Sequence, residues 1–209
     1  MQTDLETSIF TILVLIFSII IHEVAHGYAA YALGDPTAKL SGRLTMNPLP
    51  HLDPIGSVLL PALLVLTNAG FLFGWAKPVP YNPYNLRNQR WGEAFVGIAG
   101  VATNLLLAVL FAIIFRFADA GGLDLFAGLA AIVVFVNLFL GLFNLIPFPP
   151  LDGFTVLRSI LPSRYAVPVR NFESRMGIFS LLLFLMFFSY FLSAPFFQFV
   201  MWVFSLLVG

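Results

Sequence analysis

Residues 8–33 read SIFTILVLIFSIIIHEVAHGYAAYAL, and this apolar stretch decides the class of fold. A helix needs roughly 20 apolar residues to cross about 30 Å of hydrocarbon, so the stretch is long enough to span a bilayer. It is preceded by Asp4 and Glu6 and by no basic residue, which is the reverse of a signal peptide. We therefore predict a membrane helix that stays in the mature protein.

Further apolar runs follow along the whole chain, of which 60% is hydrophobic and 10% is charged. They cover residues 54–73, 92–117, 125–147, 177–193 and 195–208. We predict an all-α membrane protein, a polytopic helical bundle in a single domain of residues 1–209, whose core consists of the helices at 8–33, 92–117 and 125–147. Residues 39–46 alternate between apolar and polar, and residues 75–81 are broken by proline. We expect these two segments to pair as a short β-hairpin-like element after the first helix.

The distribution of basic residues predicts how the chain crosses the membrane. If residues 54–73 form a re-entrant segment that returns to its own side, every Lys and Arg except Arg116 falls on one side. The residues on that side are Lys39, Arg43, Lys77, Arg87, Arg90, Arg158, Arg164, Arg170 and Arg175. Basic residues are enriched in cytoplasmic loops, so we expect this side to be cytosolic. The formal net charge is zero, and nothing in the sequence favours a nucleic-acid partner.

The sequence His22-Glu23-Val24-Ala25-His26 places two histidines and a glutamate inside an apolar helix. Histidines at i and i+4 lie on one face, about 6 Å apart along the axis, so both imidazoles can reach one metal ion. Glu23 lies about 100° round the helix, where its carboxylate can take a proton from water without being a ligand. A polar cluster without metal is the alternative, but each buried ionisable group costs about 2.5 to 3.5 kcal/mol in the bilayer core. We therefore expect a metal ion.

A catalytic zinc ion takes three protein ligands, so a third residue is needed. The chain has no cysteine, and the candidates are Asp152, His51 and Asp53. Asp152 follows three prolines that end the preceding helix and can turn the chain back to present a carboxylate. The histidines lie near the C-terminal end of the first helix, and Asp152 lies past the C-terminal end of the run 125–147. These ends meet if the two helices run parallel, as the re-entrant topology provides, so Asp152 is preferred and His51 and Asp53 are alternatives.

Two motifs together resemble those of the site-2 protease family of intramembrane zinc metalloproteases. The first is H-E-x-x-H at residues 22–26, and the second is N-x-x-P-x-P-x-L-D-G, matched at every specified position of residues 144–153. Gly100-Val-Ala-Thr-Asn104 is similar to a small-residue motif of the family, and GWAKPVP at residues 74–80 is similar to its small, domain-free branch. The resemblance implies one zinc ion per chain, held by His22, His26 and Asp152, with Glu23 activating water near the cytosolic face. It also implies substrates that are single membrane-spanning helices, cleaved in regulated intramembrane proteolysis.

The predicted function is therefore that of an intramembrane zinc metalloprotease with its catalytic centre in the three-helix core. Asn144 and Asn104 are candidates for holding substrate or an oxyanion, although hydrogen bonding between helices is the more common role of such residues. The alternatives are a divalent-metal transporter and a metal-stabilised scaffold without activity. A transporter needs polar residues through the whole membrane depth, whereas here they converge on one level. The expected partners are the lipid bilayer and transmembrane protein substrates, and the expected location is the cell membrane.

Overall fold

A computed structural model describes residues 5–59, 63, 66, 76–162, 164–165, 168–169 and 178–209. The α-helices in these residues are α1 (Leu5–Ala32), α2 (Thr37–Leu40), α3 (Gln89–Ala120), α4 (Asp124–Asn144), α5 (Asp152–Ile160), α6 (Ile178–Phe187) and α7 (Ser193–Val208). Short 3₁₀ turns occur at Leu49–His51 and Pro83–Asn85, and π-helical turns occur at Pro54–Leu59 and Phe188–Leu192.

Helical stretches long and apolar enough to cross a membrane dominate the fold. There are four of them in the described residues: Leu5–Ala32, Trp91–Ala120, Asp124–Asn144 and Leu182–Val208. Large apolar side chains are exposed along each stretch, as expected for helices whose outer faces contact lipid. A helix also bonds its own backbone N–H and C=O groups, which lipid cannot do. The prediction of an all-helical, polytopic membrane bundle is confirmed.

The central helix is α3, which packs against α1, α4 and α5. α1 runs antiparallel to α3, because His22 contacts Asn104 while His26 contacts Val96. α4 follows α3 through a tight turn in which Gly122 has a φ of 68°, a left-handed conformation that glycine adopts without strain. α4 therefore also runs antiparallel to α3. As a result, α1 and α4 point the same way, and their C-terminal ends lie at one end of the bundle.

The chain leaves α1 and enters α3 at this same end. The N–H of Arg87 donates to the carbonyl of Leu33 at 2.9 Å, so residues 34–86 begin and end at one place. This agrees with the expectation that no net crossing separates α1 from α3. The predicted re-entrant segment, residues 54–73, lies largely outside the described residues.

The predicted β-hairpin-like element is wrong for the part of the chain that the structure describes, which contains no strand. Residues 39–46 begin in the last turn of α2 and continue as turns and bends. Residues 76–81 form neither a helix nor a strand, and two of them are prolines, which have no N–H to donate to a ladder. Instead, the guanidinium of Arg43 donates to the carbonyls of Lys77 and Pro78, at 2.5 and 3.2 Å. A side chain thus takes the place of a partner strand.

The two C-terminal helices predicted at 177–193 and 195–208 form one continuous helical stretch over residues 178–208. α6 leads through a π-helical turn directly into α7. The expected break lies at Pro195, the third residue of α7, and the helical stretch passes this proline directly after the π-helical turn at Phe188–Leu192, where the hydrogen-bond pattern is already irregular. Val200 of α7 then packs against Ala108 of α3 and Leu138 of α4.

Candidate metal centre and active site

α1 carries the two histidines of the motif on the face that packs against α3. The Nε2 atoms of His22 and His26 lie 3.0 Å apart. Asp152, the first residue of α5, points its Oδ2 atom at both, 2.9 Å from His22 Nε2 and 3.3 Å from His26 Nε2. Both imidazoles are buried, and the carboxylate is mostly buried. Among the described residues, these three form the group whose ligand atoms lie close enough to share a metal ion.

The other ring nitrogens decide where the imidazole protons lie. His22 Nδ1 faces the side-chain oxygen of Asn104 at 2.5 Å, and His26 Nδ1 faces the carbonyl oxygen of Val96 at 2.6 Å. Such oxygens only accept hydrogen bonds, so each Nδ1 donates its proton and each neutral ring keeps a lone pair on Nε2. When both rings are in the neutral form, the two Nε2 lone pairs and the Oδ2 atom of Asp152 therefore converge.

A zinc ion fits this arrangement. The Oδ2 atom of Asp152 is buried and makes no hydrogen bond. The two Nε2 lone pairs and this oxygen therefore repel one another, and a bound cation would remove that repulsion. Tetrahedral ligands at about 2.0 to 2.2 Å from zinc lie about 3.3 to 3.6 Å apart. The separations here are 2.9 to 3.3 Å, so small outward shifts of these side chains would admit the ion. Two imidazoles with one carboxylate are also a donor set that catalytic zinc sites use, because it leaves a fourth position open.

Tight packing around α5 places Asp152. A Cβ atom at Gly153 would collide with the backbone that follows α4, so this glycine lets α5 fold back onto the end of that helix. Gly97 lets α5 approach α3, since a Cβ there would lie 3.3 Å from the Asp152 carbonyl oxygen. A buried ion pair between Glu93 and Arg158, 2.6 Å long, ties the other end of α5 to α3. These contacts hold the carboxylate against the same helix that the histidines face.

Gly100 of α3 leaves room beside the two imidazoles. A Cβ atom at this position would lie 2.5 Å from His26 Nε2 and 2.6 Å from His22 Cε1, closer than side-chain atoms approach one another. Any larger residue would therefore displace a ring. The sequence indicated Gly100 as a helix-packing residue. In the structure, the absence of a side chain at Gly100 lets α3 lie close to the face of α1 that carries His22 and His26.

Glu23 is held by residues 77–81, a segment without helix or strand that we call the strap. The N–H of Val79 donates to Glu23 Oε2 at 2.8 Å. Val79 stands between Pro78 and Pro80, so it carries the one N–H of these three residues. One oxygen of the Glu23 carboxylate is thus engaged by the strap, and Glu23 does not belong to the group of metal ligands.

A cavity of about 200 Å³ connects these features. Its lining includes the three ligand residues, Glu23, the strap residues Pro78, Val79 and Tyr81, and Asn144 at the end of α4. One cavity therefore brings together the candidate ligand atoms, the carboxylate of Glu23 and the strap. A cavity with these groups can bind a polar part of a substrate together with a water molecule, as hydrolysis requires.

The start of the strap is anchored by Arg43 and His51. The N–H of Lys77 donates to the carbonyl of His51 at 2.8 Å, and the buried guanidinium of Arg43 donates to the carbonyls of Lys77 and Pro78. A single side chain, that of Arg43, therefore binds two successive carbonyls of the strap.

The chain just beyond the strap is anchored by the buried carboxylate of Asp35. It accepts hydrogen bonds from the N–H of Asn82 at 2.6 Å, from the side chain of Asn85 at 2.8 Å, and from the hydroxyl of Thr37 at 2.6 Å. Burial by itself would raise the pKa of Asp35, but the hydrogen bonds from Thr37, Asn85 and Asn82 outweigh burial and lower this pKa below its ordinary value. Asp35 is therefore a structural carboxylate that fastens the strap region to the end of α1.

The two alternative ligands lie away from the metal group. His51 is buried, and its Nε2 donates to the carbonyl of Thr45 at 2.9 Å, so it helps to hold its own loop. Asp53 accepts hydrogen bonds from two backbone N–H groups of the π-helical turn that follows, at 3.0 and 2.7 Å, and so caps that turn. The structure does not bring either residue to the histidines of the motif.

The two candidate asparagines have different surroundings. Asn144 lines the cavity and donates from Nδ2 to the carbonyl of Leu140 at 3.0 Å. Asn104 is fully buried, and its oxygen and nitrogen are both used, by His22 and by Asn137. Asn144 is thus placed to contact a molecule in the cavity, whereas Asn104 stands behind a candidate ligand.

Sequence reasoning missed Asn137 and the N–H of Val79. Asn137 is a polar residue inside an apolar run, and the high cost of burying such a group in a bilayer is the signal that could have found it. A backbone N–H leaves no comparable signal, because every residue except proline has one. Only the flanking Pro78 and Pro80 mark Val79 as special.

Comparisons with known proteins point to one family. A sequence model described as peptidase family M50 matches residues 118–188. YwhC of Bacillus subtilis, provisionally named a zinc metalloprotease, is 39% identical over 182 residues, which are 84% of this chain and 80% of YwhC. Rip2 of Mycobacterium tuberculosis, named in the same way, is 32% identical over 193 residues, 90% of this chain and 70% of Rip2. Zinc metalloprotease MJ0392 of Methanocaldococcus jannaschii is 29% identical over 166 residues, 77% of this chain and 38% of MJ0392. No solved structure matches the chain significantly.

Proposed function

Because the chain belongs to peptidase family M50, the site-2 protease family, we propose that it hydrolyses peptide bonds within or near the transmembrane segments of other membrane proteins. Its relatives are named as zinc metalloproteases, and the four long apolar helices among its described residues fit a multi-pass membrane protein. One observation carries the proposal. Candidate zinc ligands and the carboxylate of Glu23 line a single cavity between membrane-spanning helices, the strap and α5.

The residues of the site divide the work between metal binding and proton transfer. His22, His26 and Asp152 would hold the zinc ion, with both imidazoles in the neutral form that leaves Nε2 unprotonated. When bound, the ion supplies Lewis-acid activation of water and of the peptide carbonyl. Glu23 takes the proton that water loses during attack and later returns it to the leaving amine. The N–H of Val79 holds one oxygen of Glu23 and leaves the other for this transfer.

The substrate is proposed to enter in an extended conformation. In a helix each carbonyl is bonded to the N–H four residues further on, and a helix with its side chains is about 10 to 12 Å wide. These hydrogen bonds and the surrounding side chains shield the carbonyls of an intact helix from attack. A transmembrane substrate therefore has to unwind locally before its carbonyl reaches the site. Asn144 lines the cavity and can bond the backbone of such an unwound segment.

We place the active site toward the cytosolic face of the membrane, as the charge distribution predicts. Arg43 and Lys77 lie at the strap, beside the metal centre. Arg116 lies at the other end of α3, where it donates to the carbonyls of Leu206 and Leu207 at the C-terminus of α7. The positive-inside rule assigns the end that is rich in Lys and Arg to the cytosol.

The test is cleavage of a labelled single-span peptide by the purified protein in liposomes. The wild type should cleave the peptide, a zinc chelator should stop cleavage, and added zinc should restore it. Glu23→Gln should lower the rate by about 10² to 10⁴-fold while its zinc content stays at the wild-type level, since Glu23 is not a ligand. Asp152→Ala is the matched ligand variant, and it should lower both the rate and the zinc content.

Three results would contradict the proposal. A Glu23→Gln protein that cleaves at the wild-type rate would remove Glu23 as the base. Full zinc content in Asp152→Ala would remove this residue from the ligand set. Zinc uptake into the liposomes without any peptide cleavage by the wild type would favour a metal transporter instead.

A further inference from the structure

Two buried asparagines form a chain of hydrogen bonds behind His22. Asn104 Oδ1 faces His22 Nδ1, and Asn104 Nδ2 donates to Asn137 Oδ1 at 2.9 Å. Asn137 Nδ2 in turn donates to the carbonyl of Val133, four residues earlier in α4, at 3.0 Å. Asn104 is 0% exposed and Asn137 is 1% exposed, and neither lines the cavity. The chain links α1, α3 and α4 and has no access to a substrate.

The direction of this chain is determined at its far end. The carbonyl of Val133 can only accept, so the NH₂ group of Asn137 must face it and the oxygen of Asn137 must face Asn104. The NH₂ group of Asn104 then faces Asn137, and its oxygen faces His22. The orientation of both amides thus follows from their partners, which is the proper basis for assigning it. It requires that Nδ1 of His22 carries the proton.

His26 shows by contrast why a second asparagine is useful. The partner of His26 Nδ1 is the backbone carbonyl of Val96, which cannot turn over. The partner of His22 is a side-chain amide, and a half-turn of that amide would present a donor to Nδ1 and move the imidazole proton to Nε2. If Asn104 turned over, its oxygen would face the oxygen of Asn137 and the hydrogen bond between the two side chains would be lost. Asn137 therefore disfavours the turned orientation.

We propose that Asn137 is a positioning residue that acts through Asn104 to keep Nε2 of His22 free of a proton. The inference rests on the proposed zinc site, because metal binding needs that lone pair. With the proton on Nε2, the ring would instead donate to Asp152 or His26 and oppose binding. Outer partners that orient a ligand typically contribute about tenfold to a hundredfold to metal affinity. This role accounts for the burial of the Asn104 and Asn137 amides between membrane helices, where polar groups are otherwise unfavourable.

The first experiment compares the zinc affinity of the full-length wild type, Asn137→Leu and Asn137→Asp by competition with a chelator. All three side chains are similar in size. The aspartate presents an oxygen to Asn104 in either protonation state, whereas the leucine presents no polar atom. We expect Asn137→Leu to bind zinc about tenfold or more weakly than the wild type and Asn137→Asp to stay close to it. Equal affinity of the leucine and aspartate variants would show that only packing matters and would overturn the inference.

A second background tests whether Asn137 acts through Asn104. In Asn104→Asp the carboxylate offers His22 only acceptors, so no half-turn can present a donor. Asn137→Leu should therefore leave zinc affinity unchanged in this background, which is a non-additive pair. The same loss in both backgrounds would contradict the proposed route.

A spectroscopic measurement needs no variant. The imidazole ¹⁵N shifts of chelator-treated, histidine-labelled wild type report which nitrogen of His22 carries the proton, and we expect Nδ1. A neutral His22 ring that carries its proton on Nε2 would overturn the inference while leaving the zinc site in place. Failure of the wild type to bind zinc at all would instead remove the proposed function.

Discussion

The two sides of the active site are held by different kinds of structure. On the ligand side, His22 and His26 stand on α1, and their rings are held by Asn104 and Val96 of α3, so regular helices set every distance. On the base side, Glu23 is held by one backbone N–H of the strap, which has no regular secondary structure. The strap has no partner strand among the described residues, and side chains from the neighbouring loops anchor it.

This difference indicates that metal binding and proton transfer can be disturbed separately. A helix keeps its shape through its own backbone hydrogen bonds, so the ligand side changes only if its packing changes. The strap depends on a few individual side chains, and segments with few packed contacts open more easily than helix cores. Variants on the ligand side should therefore lose zinc, and variants at the strap should lose activity while they keep zinc.

The largest effect is expected on the ligand side, from Gly100→Ala. The added methyl group would lie within 2.6 Å of imidazole atoms, so at least one ring must move. We expect zinc affinity to fall by up to about a hundredfold, the upper range for lost ligand orientation. Gly128→Ala is the matched control, because a Cβ at Gly128 meets nothing within 4 Å, and it should bind zinc like the wild type. Unchanged affinity in Gly100→Ala would show that the ligand side tolerates a shift in packing.

A smaller effect is expected on the base side, from Arg43→Met. The change leaves the carbonyls of Lys77 and Pro78 without their donor, so the strap and its N–H to Glu23 should shift. We expect kcat/KM to fall by about tenfold, as misplacement of a catalytic group does, while zinc content stays constant. The control is Lys39→Met, which removes an exposed basic residue of the same region and should have little effect. Loss of zinc in Arg43→Met would contradict the separation of the two sides.

The smallest effect is expected at the outer anchor, from Asp35→Asn, and it should depend on pH. The folded protein holds the pKa of Asp35 below its unfolded value of about 3.9, so the ionised carboxylate stabilises the fold above that pH. This stabilisation is lost as the pH falls through the folded-state pKa. At pH 7 the variant should be less stable by about 1 to 3 kcal/mol, from weakened buried hydrogen bonds.

The measurement is the melting temperature of chelator-treated wild type and Asp35→Asn, so that zinc release at low pH does not contribute. The difference in melting temperature should be constant between pH 7 and pH 5 and should narrow below about pH 4. Asp124→Asn, at an exposed carboxylate, should show a smaller difference throughout. A difference that widens toward low pH would have the wrong sign for this carboxylate.

Much of the ligand side could be predicted from the sequence. The spacing of His22 and His26 follows from helix geometry, and the prolines before Asp152 mark the end of α4. Asp152 could therefore be preferred as the third ligand, with His51 and Asp53 as alternatives, before any distance was known. The base side could not be predicted in the same way. The expected pairing of residues 39–46 with 75–81 was wrong for the described residues, because proline removes ladder donors and the side chain of Arg43 replaces a strand.

The sequence by itself determined a membrane-spanning bundle, since apolar length and helix pitch are properties of neighbouring residues. It also determined that two imidazoles and Glu23 stand on one helix. Only the tertiary structure decided that Asp152, and not His51 or Asp53, meets the imidazoles, and which nitrogen of each ring keeps its lone pair. His22 and Asn104 are 82 positions apart, and a contact at that separation depends on how whole helices pack. Local pattern specifies which groups are present, and packing specifies which of them meet.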